Sequence, residues 1–527
     1  MEQNGKLKKR LSLSDLIFIG FGAIFGSGWL FASSTVASDA GPAGWISWLI
    51  GGIAVILLGL VYAELGGAIP RAGGIVRYPV YSHGPLLGYL MGFATLIAYS
   101  SLCSIEVEAA RQYAASWWPA LSSSGGQSPS LLGWILQVAL LFVFFLLNYW
   151  SVGTFAKVNT VMTILKFVVP SLTIIVLLIH LKSGNFTVHG FAPFGVSGIE
   201  TAISTGGVMF AYLGLQPIVS VASEAKRPQR TVPLALILSV ILSAVVYILL
   251  QVSFIGAIPT AKLAGGWTGI SQAFSLPFRD LAVMLGIGWL AILIVLDAIV
   301  SPSGSANIFM NSTSRIVFGW AKNGTLFKLF GRIDKRTGIP RPALWLSFVF
   351  SIFWTLPFPS WGTLIGVVSD ALVLTYALAP ISAYAFRRNA PQLARPFYLK
   401  GMHVIGPIAF IIASLIVYWT GWTVDSWLLG SQLVMFVIYV IAYKWVPKRQ
   451  VSFMQQLKAS WWLVFYYAAI IIVSKLGDFG GIAWIPRVWD QVVIAVIAVI
   501  TYYWGGRTGL PKAMLDEDEM DEEGSDT

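Results

Sequence analysis

Long apolar runs separated by short polar loops set the organisation of this chain from Leu13 to Tyr503. The first run, Leu13 to Val36, exceeds the roughly 20 residues a helix needs to cross a bilayer. Further runs cover about residues 43–69, 84–117, a stretch ending near Trp150, 155–179, a stretch beginning near Gly198, 232–255 and 281–320. Two more form a hairpin through Phe358-Pro-Ser-Trp361, and two others cover about residues 404–422 and 426–445. Two shorter ones, about 460–473 and 487–503, complete the pattern. Each run predicts a membrane-spanning helix, so the expected fold class is an all-α polytopic membrane protein.

Two runs are interrupted. The first carries Gly20, Gly22, Gly26 and Gly28, with Ser27 between the last two. Glycine costs about 1 kcal/mol against alanine in a helix interior, so Gly-Ser-Gly at mid-depth invites unwinding. These glycines would equally serve close helix packing; the second interruption favours the break. It lies in the sixth span around Phe210-Ala-Tyr-Leu-Gly-Leu-Gln-Pro217, where Gly214 and Pro217 weaken the helix ladder. Unwound backbone at membrane depth is tolerated only where it faces protein or a cavity. Interrupted helices five spans apart are the sequence pointer to an inverted-repeat transporter, spans 1 to 5 and 6 to 10 being the repeats.

Complementary dipoles follow from that arrangement. Backbone N–H groups near Gly26, Ser27 and Gly28 suit a carboxylate. Carbonyls freed near Phe210, Ala211 and Leu213 suit an ammonium. The pair fits an α-amino acid, and the candidate substrate-binding set is Ala23, Ile24, Gly26, Ser27, Gly28, Phe210, Ala211, Tyr212, Leu213 and Gly214. Phe210 or Tyr212 is a candidate gate over the ligand, although ordinary packing accounts for most single aromatics.

Charge changes the picture next. Of the 527 residues 57% are hydrophobic and 11% charged, and the formal net charge is +11. That excess does not imply nucleic acid as a partner, because the basic residues fall in alternate loops. Lys6 to Arg10, Arg71 and Arg77, Lys157, Lys226 to Arg230, Lys322 to Arg341, Arg387 to Lys400 and Lys444 to Lys458 mark one side. Both termini are therefore expected in the cytoplasm, with lipid bilayer and a small substrate as partners and the oligomeric state open. The division read here is a cytoplasmic N-terminus (1–12), a ten-span core (13–388), about four accessory spans (389–505) and an acidic, disordered cytoplasmic tail (506–527).

Lys166 is the sharpest side-chain signal. It stands about eleven residues into the fifth span, roughly 16 Å along the axis, near the middle of a ~30 Å core. A buried amine there can gain and lose a proton beside the broken helix; the alternative is a salt-bridged structural lysine. In the third span Glu106 and Glu108 point to nearly opposite faces. Glu106 shares a stripe with Tyr99 and Cys103 and is the expected inward one, leaving Glu108 to pair with Arg111. Lys166 and Glu106 are thus the proton-coupling candidates, with Asp297, Asn307 and Asp370 weaker ones of the same kind. Ser301, Ser303 and Ser305 beside Pro302 and Gly304 are expected to make the eighth span locally irregular.

No enzyme constellation is present in the sequence. His83, His180, His189 and His403 lack metal-ligand spacing, no Gly-Lys-Ser/Thr phosphate loop occurs, and Cys103 is the single cysteine. No cofactor is expected beyond the proton as coupling ion.

Gly22-Ala-Ile-Phe-Gly-Ser-Gly28, Tyr62-Ala-Glu-Leu, Pro70-Arg-Ala-Gly-Gly, Lys157-Val-Asn, Phe210-Ala-Tyr-Leu-Gly, Glu224-Ala-Lys-Arg-Pro, Ser314-Arg and Lys335-Arg-Thr-Gly-Ile-Pro340 stand in order along the chain. In this combination the sequence resembles the amino acid–polyamine–organocation superfamily of permeases over most of Leu11 to Arg388. The resemblance implies a five-plus-five (LeuT-like) broken-helix fold and secondary active transport of amino acids, with a lysine placed like Lys166 coupling transport to protons in some relatives. The chain departs from the usual pattern at Gly214-Leu215-Gln216 and Ser223-Glu224, and in its two spans beyond twelve. Ile105-Glu-Val-Glu108 and the chain length are similar to a bacterial branch of aspartate–proton symporters. That likeness implies a bacterial cell membrane and acidic substrates such as aspartate or glutamate. An amino-acid or polyamine exchanger using Glu106 as cation partner, and a sensor that binds without translocating, remain alternative expectations.

Overall fold

The computed structural model describes residues 11–69, 73–123, 128–150, 152–220, 225–334, 337–445 and 451–515. The basic N-terminus, Arg71, Ser223, Glu224, Lys335, Arg336, Lys448, Arg449 and the acidic stretch from Asp516 lie outside them, as does the side chain of Lys157. Among the described residues there is no strand, only the isolated bridges Leu11 with Ala225 and Ser122 with Pro129. Nine helical stretches among them are long and apolar enough to cross a membrane, or ten when one bent pair is counted as a single span.

The first span is two helices. A capping box of Ser12 and Asp15 starts α1 (Leu13–Ile24), which ends at Phe25, and α2 (Gly28–Ala40) resumes after Ser27. α3 (Gly44–Ala68) is the second span. Then comes a short buried helix that the hydrophobic pattern does not predict, α4 (Gly74–His83). Left-handed Gly73 (φ +72°) precedes it, and Gly84 (φ +99°) turns the chain into α5 (Pro85–Ala114). Proline at the start of α5 loses no helical hydrogen bond. α6 (Leu131–Trp150) and α7 (Val152–Ile179) complete the first half.

The second half opens with the other broken span: α8 (Gly195–Ser204), α9 (Val208–Tyr212) and α10 (Gln216–Ser220). The 47° bend falls at Thr205-Gly206-Gly207, where Gly207 has φ +99°. This is earlier than the interruption expected at Phe210–Pro217, within which Leu213 to Leu215 form a second gap. Pro217 does not break a helix; it stands in the first turn of α10, where its missing N–H costs nothing. α11 (Pro228–Ala257), the short α12 (Ile270–Ala273) and α13 (Pro277–Met284), then α14 (Gly288–Lys322) follow. The expected single eighth helix is split at Gly286 (φ +74°) into α13 and α14. The expected irregularity at Pro302 is absent, since α14 runs unbroken through it. α15 (Arg341–Trp354) and α16 (Trp361–Asn389) end the core.

Five spans per half is an odd number, so the second half enters from the opposite side. The packing repeats with that symmetry. α1 packs on α11 as α8 packs on α3, and α5 runs along α14. α4, between the second and third spans, corresponds to α12 and α13 between the seventh and eighth.

The accessory helices are α17 (Met402–Trp419), α18 (Trp422–Ala442), α19 (Phe453–Leu476) and α20 (Trp489–Thr508). They lean on α16, α3 and α5, and Arg487 and Gln491 donate to Glu200 of α8, each at 2.9 Å. The tail boundary expected at 506 shifts, because α20 continues to Thr508 and residues 509–515 are packed. Leu510 N–H donates to Ser82 O (2.8 Å) and Met514 N–H to Tyr81 O (3.0 Å), so this segment is tied to α4 rather than solvated.

Candidate functional site

The two broken spans meet. Gly28 has no side chain because a Cβ there would lie 2.7 Å from the Ala211 Cβ and 2.9 Å from its Cα. A Cβ on Gly214 would lie 2.7 Å from the Ala23 carbonyl carbon and from the Ile24 nitrogen. Backbone therefore rests on backbone where the helices part, which only glycine permits.

Partners take up the freed polar groups, as buried backbone requires. Ser27 N–H donates to Glu106 Oε2 (2.9 Å), so the carboxylate of the third span stands where a substrate carboxylate was expected. Ser27 Oγ accepts from the Trp361 indole (3.0 Å). The freed carbonyls of Ala211 and Ile24 both accept from the Tyr247 hydroxyl, at 2.9 and 3.3 Å, and the Phe210 carbonyl accepts from Leu213 N–H (3.1 Å). Tyr247 on α11 thus clips the two breaks together; an isolated tyrosine in an apolar run gave no sequence signal of this.

Of the expected ligand set, Ala23, Ile24, Gly26, Phe210 and Leu213 line a narrow pocket with Glu106, Leu102 and Phe309. Gly214 lines an adjoining pocket whose polar walls are Tyr99, Gln216, Ser312 and Tyr376. Tyr212 is corrected: its hydroxyl donates to Trp48 O (2.8 Å) and its ring packs edge-on to Trp48 and Tyr247. Those contacts lie against α3 and α11, so Tyr212 faces away from the pocket and does not gate it. Phe210 remains at the pocket, edge-on to Trp361, which itself stacks on Phe31 at 4.9 Å. These three rings roof the break on the α2 side.

Lys166 is buried at 1% exposure, and its ammonium donates to Gly22 O (3.0 Å) and Ser305 Oγ (2.7 Å). It thereby ties α1 to α14 immediately before the break. Glu106 and Asp297 are the acidic groups whose charge acts on it. Glu108 faces the other way, in an ion pair with Arg111 and accepting from Gln112 (3.1 Å) and Gln137. Away from the breaks, Glu64 of α3 accepts from Arg387 Nε (2.8 Å) and Nη2 (2.5 Å), from Leu399 N–H (2.8 Å), and lies 3.5 Å from Arg395. In the sequence Glu64 stands out only as part of a motif, because its partners are more than 300 residues away. No group of three or more metal-ligating side chains occurs among the described residues.

Two interrupted spans in contact at their breaks, in halves of five spans each, define a secondary transporter of the broken-helix class rather than an enzyme. The chain belongs to the amino acid permease family, whose model matches residues 11–474. An aspartate-proton symporter of Bacillus subtilis (strain 168) is 59% identical over 520 residues, 98% of this chain and 100% of that protein. The glutamate/serine transporter AimA of the same organism is 38% identical over 97% of this chain and 96% of its own. The branched-chain amino acid permease BcaP is 24% identical over 82% of this chain and 93% of its own.

Proposed function

We propose that this protein is a proton-coupled importer of acidic amino acids, aspartate or glutamate, in a bacterial cell membrane with both termini in the cytoplasm. Similarity to an aspartate-proton symporter and to a glutamate/serine transporter supports the substrate class. The observation that carries the coupling is the Lys166 bridge from Gly22 O to Ser305 Oγ.

A protonated lysine offers three donors and makes charge-assisted bonds of about 1.5–3 kcal/mol; the neutral amine makes weaker ones. Protonation therefore fastens α1 to α14, and deprotonation loosens the broken span. At about 1.4 kcal/mol per tenfold, weakening two such bonds shifts the balance between closed and open arrangements by one to two decades. Substrate binding at the break then becomes linked to the proton on Lys166. The substrate α-carboxylate competes with Glu106 for the N–H groups around Ser27. Tyr99, Gln216, Ser312 and Tyr376 supply hydroxyl and amide donors within one pocket's reach for a second carboxylate. A polyamine would need Glu106 free to meet a cation, whereas its Oε2 already accepts from Ser27.

The test is reconstitution into liposomes with an imposed pH gradient, acidic outside. Wild-type protein accumulates aspartate or glutamate with accompanying proton entry. Lys166→Ala inserts and binds substrate but loses gradient-driven accumulation. Unchanged pH-driven uptake by that variant would remove Lys166 from coupling. Binding without accumulation in the wild type would favour a sensor.

A further inference from the structure

α14 carries a buried polar stripe that neither broken span uses. Asp297, Ser301 and Ser305 are spaced four residues apart, so they share one helix face at steps of about 6 Å. At one end of the stripe Ser305 Oγ holds the Lys166 ammonium at 2.7 Å. At the other, Asp297 is 3% exposed and neither carboxylate oxygen has a hydrogen-bond partner among the described residues. Ser301, fully buried between them, also has a hydroxyl with no partner among the described residues.

A bare buried carboxylate is costly by several kcal/mol, so Asp297 requires either a proton or a nearby cation. Lys166 on α7 is the cation whose charge reaches it. From α5, Tyr113 is within reach of its charge, and Glu106 shares the Lys166 ammonium as a second acidic neighbour. From α13, the partly buried Arg279–Asp280 pair (2.9 Å) acts on the same Tyr113. Asp297 stands about 14 Å from the α13 end of α14, on the α13 side of Lys166. The stripe thus lies on the α13 side of the coupling lysine, with Tyr113 feeling the charges of both Asp297 and the Arg279–Asp280 pair.

We propose that Asp297 is a proton-relay residue that receives the coupling proton from the α13 face and delivers it to Lys166 through the hydroxyls of Ser301 and Ser305. In each transfer the carboxylic acid of Asp297 gives its proton to the Ser301 hydroxyl, which releases its own toward Ser305. Ser305 in turn releases one to the neutral amine of Lys166. The products are a carboxylate and an ammonium, with both serines restored, and Asp297 is reprotonated from water on the α13 side. Asp297 and Ser301 have no direct hydrogen-bond partner among the described residues, so the transfers between Asp297, Ser301 and Ser305 each pass through one bridging water, while Ser305 meets Lys166 directly.

This inference rests on the symport reading, and the experiment separates the two. The full chain is reconstituted as wild type, Asp297→Asn, Asp297→Glu and Ser301→Ala. Counterflow of labelled aspartate is measured against gradient-driven accumulation with an internal pH dye. Counterflow needs substrate binding and the conformational exchange but no net proton movement. In Asp297→Asn it stays within about twofold, while accumulation and proton entry fall tenfold or more, the usual scale for losing a proton-transfer group. Asp297→Glu recovers coupling, and Ser301→Ala shows a smaller loss with unaltered KM. Full coupling in Asp297→Asn, or an equal loss of counterflow and accumulation in both Asp297→Asn and Ser301→Ala, overturns the relay. Absence of substrate-dependent proton entry in the wild type overturns the symport reading itself.

Discussion

Placing one methyl group at Gly28 tests whether the two breaks must touch for the protein to work. In Gly28→Ala the new Cβ would stand 2.7 Å from the Ala211 Cβ and 2.9 Å from its Cα. Carbon atoms in contact prefer about 3.5–4.0 Å, so the broken spans must part by roughly 0.8 Å or more. Ala211 cannot swing aside, because one of the two atoms is backbone and its carbonyl is held by Tyr247. Overpacking of this kind costs about 1–3 kcal/mol. At about 1.4 kcal/mol per tenfold, the arrangement with the breaks in contact becomes roughly 5- to 150-fold less populated. Uptake of labelled aspartate into liposomes should fall by a comparable factor, while helical content and elution as a single species stay unchanged. Gly288→Ala is the control: a Cβ there, at the start of α14, would meet nothing within 4 Å, and alanine favours the helix by up to about 1 kcal/mol. A Gly28→Ala protein that transports at the wild-type rate would refute the idea that transport passes through this contact.

Two further substitutions probe the flanks of the site. Glu64→Gln removes the charge that two arginines share, and breaking a buried ion pair costs about 3–5 kcal/mol when one partner is lost. A clearly lower melting temperature in detergent is expected, and an unchanged one would show that the clamp between α3 and α16 bears little load. Trp361→Phe keeps the ring over Phe31 and Phe210 but deletes the donor to Ser27 Oγ. One neutral hydrogen bond is worth about 1 kcal/mol, so KM should rise several-fold with little change in stability; an unaltered KM would place that bond outside the substrate-bound state.

Much of this arrangement was legible because membrane physics is strict. In lipid a single segment satisfies its backbone only as a helix, so the apolar runs located the helices, nine or ten of which among the described residues are long and apolar enough to span, and Gly26-Ser27-Gly28 marked the first break. Lys166 stood out since an amine at mid-depth is expensive, and Glu106 and Glu108 separated by helical periodicity alone. Other features were not legible, each for a reason of distance or local geometry. Tyr212 looked like a gate from its place beside the break, but five residues of helix rotate its ring toward α3. Gly206-Gly207 hid the true bend because glycine pairs are common in membrane helices and only φ distinguishes a kink. α4 was missed because its polar, proline-bearing sequence lacks a spanning-length run. Tyr247, Trp361 and Arg487 reach the site or its supports from far along the chain, and no spacing rule pairs them with Ala211, Ser27 or Glu200.

Sequence alone determined the all-helical membrane fold, the two interruptions and the buried lysine, because run length, glycine content and the cost of charge in lipid are properties of short segments. The tertiary structure decided that Glu106 occupies the N–H of Ser27, that Tyr247 joins the breaks and that Asp297 and Ser301 line up with Lys166. Those outcomes depend on how helices dozens to hundreds of residues apart are rotated against one another, and that rotation is fixed by the packing of the whole bundle.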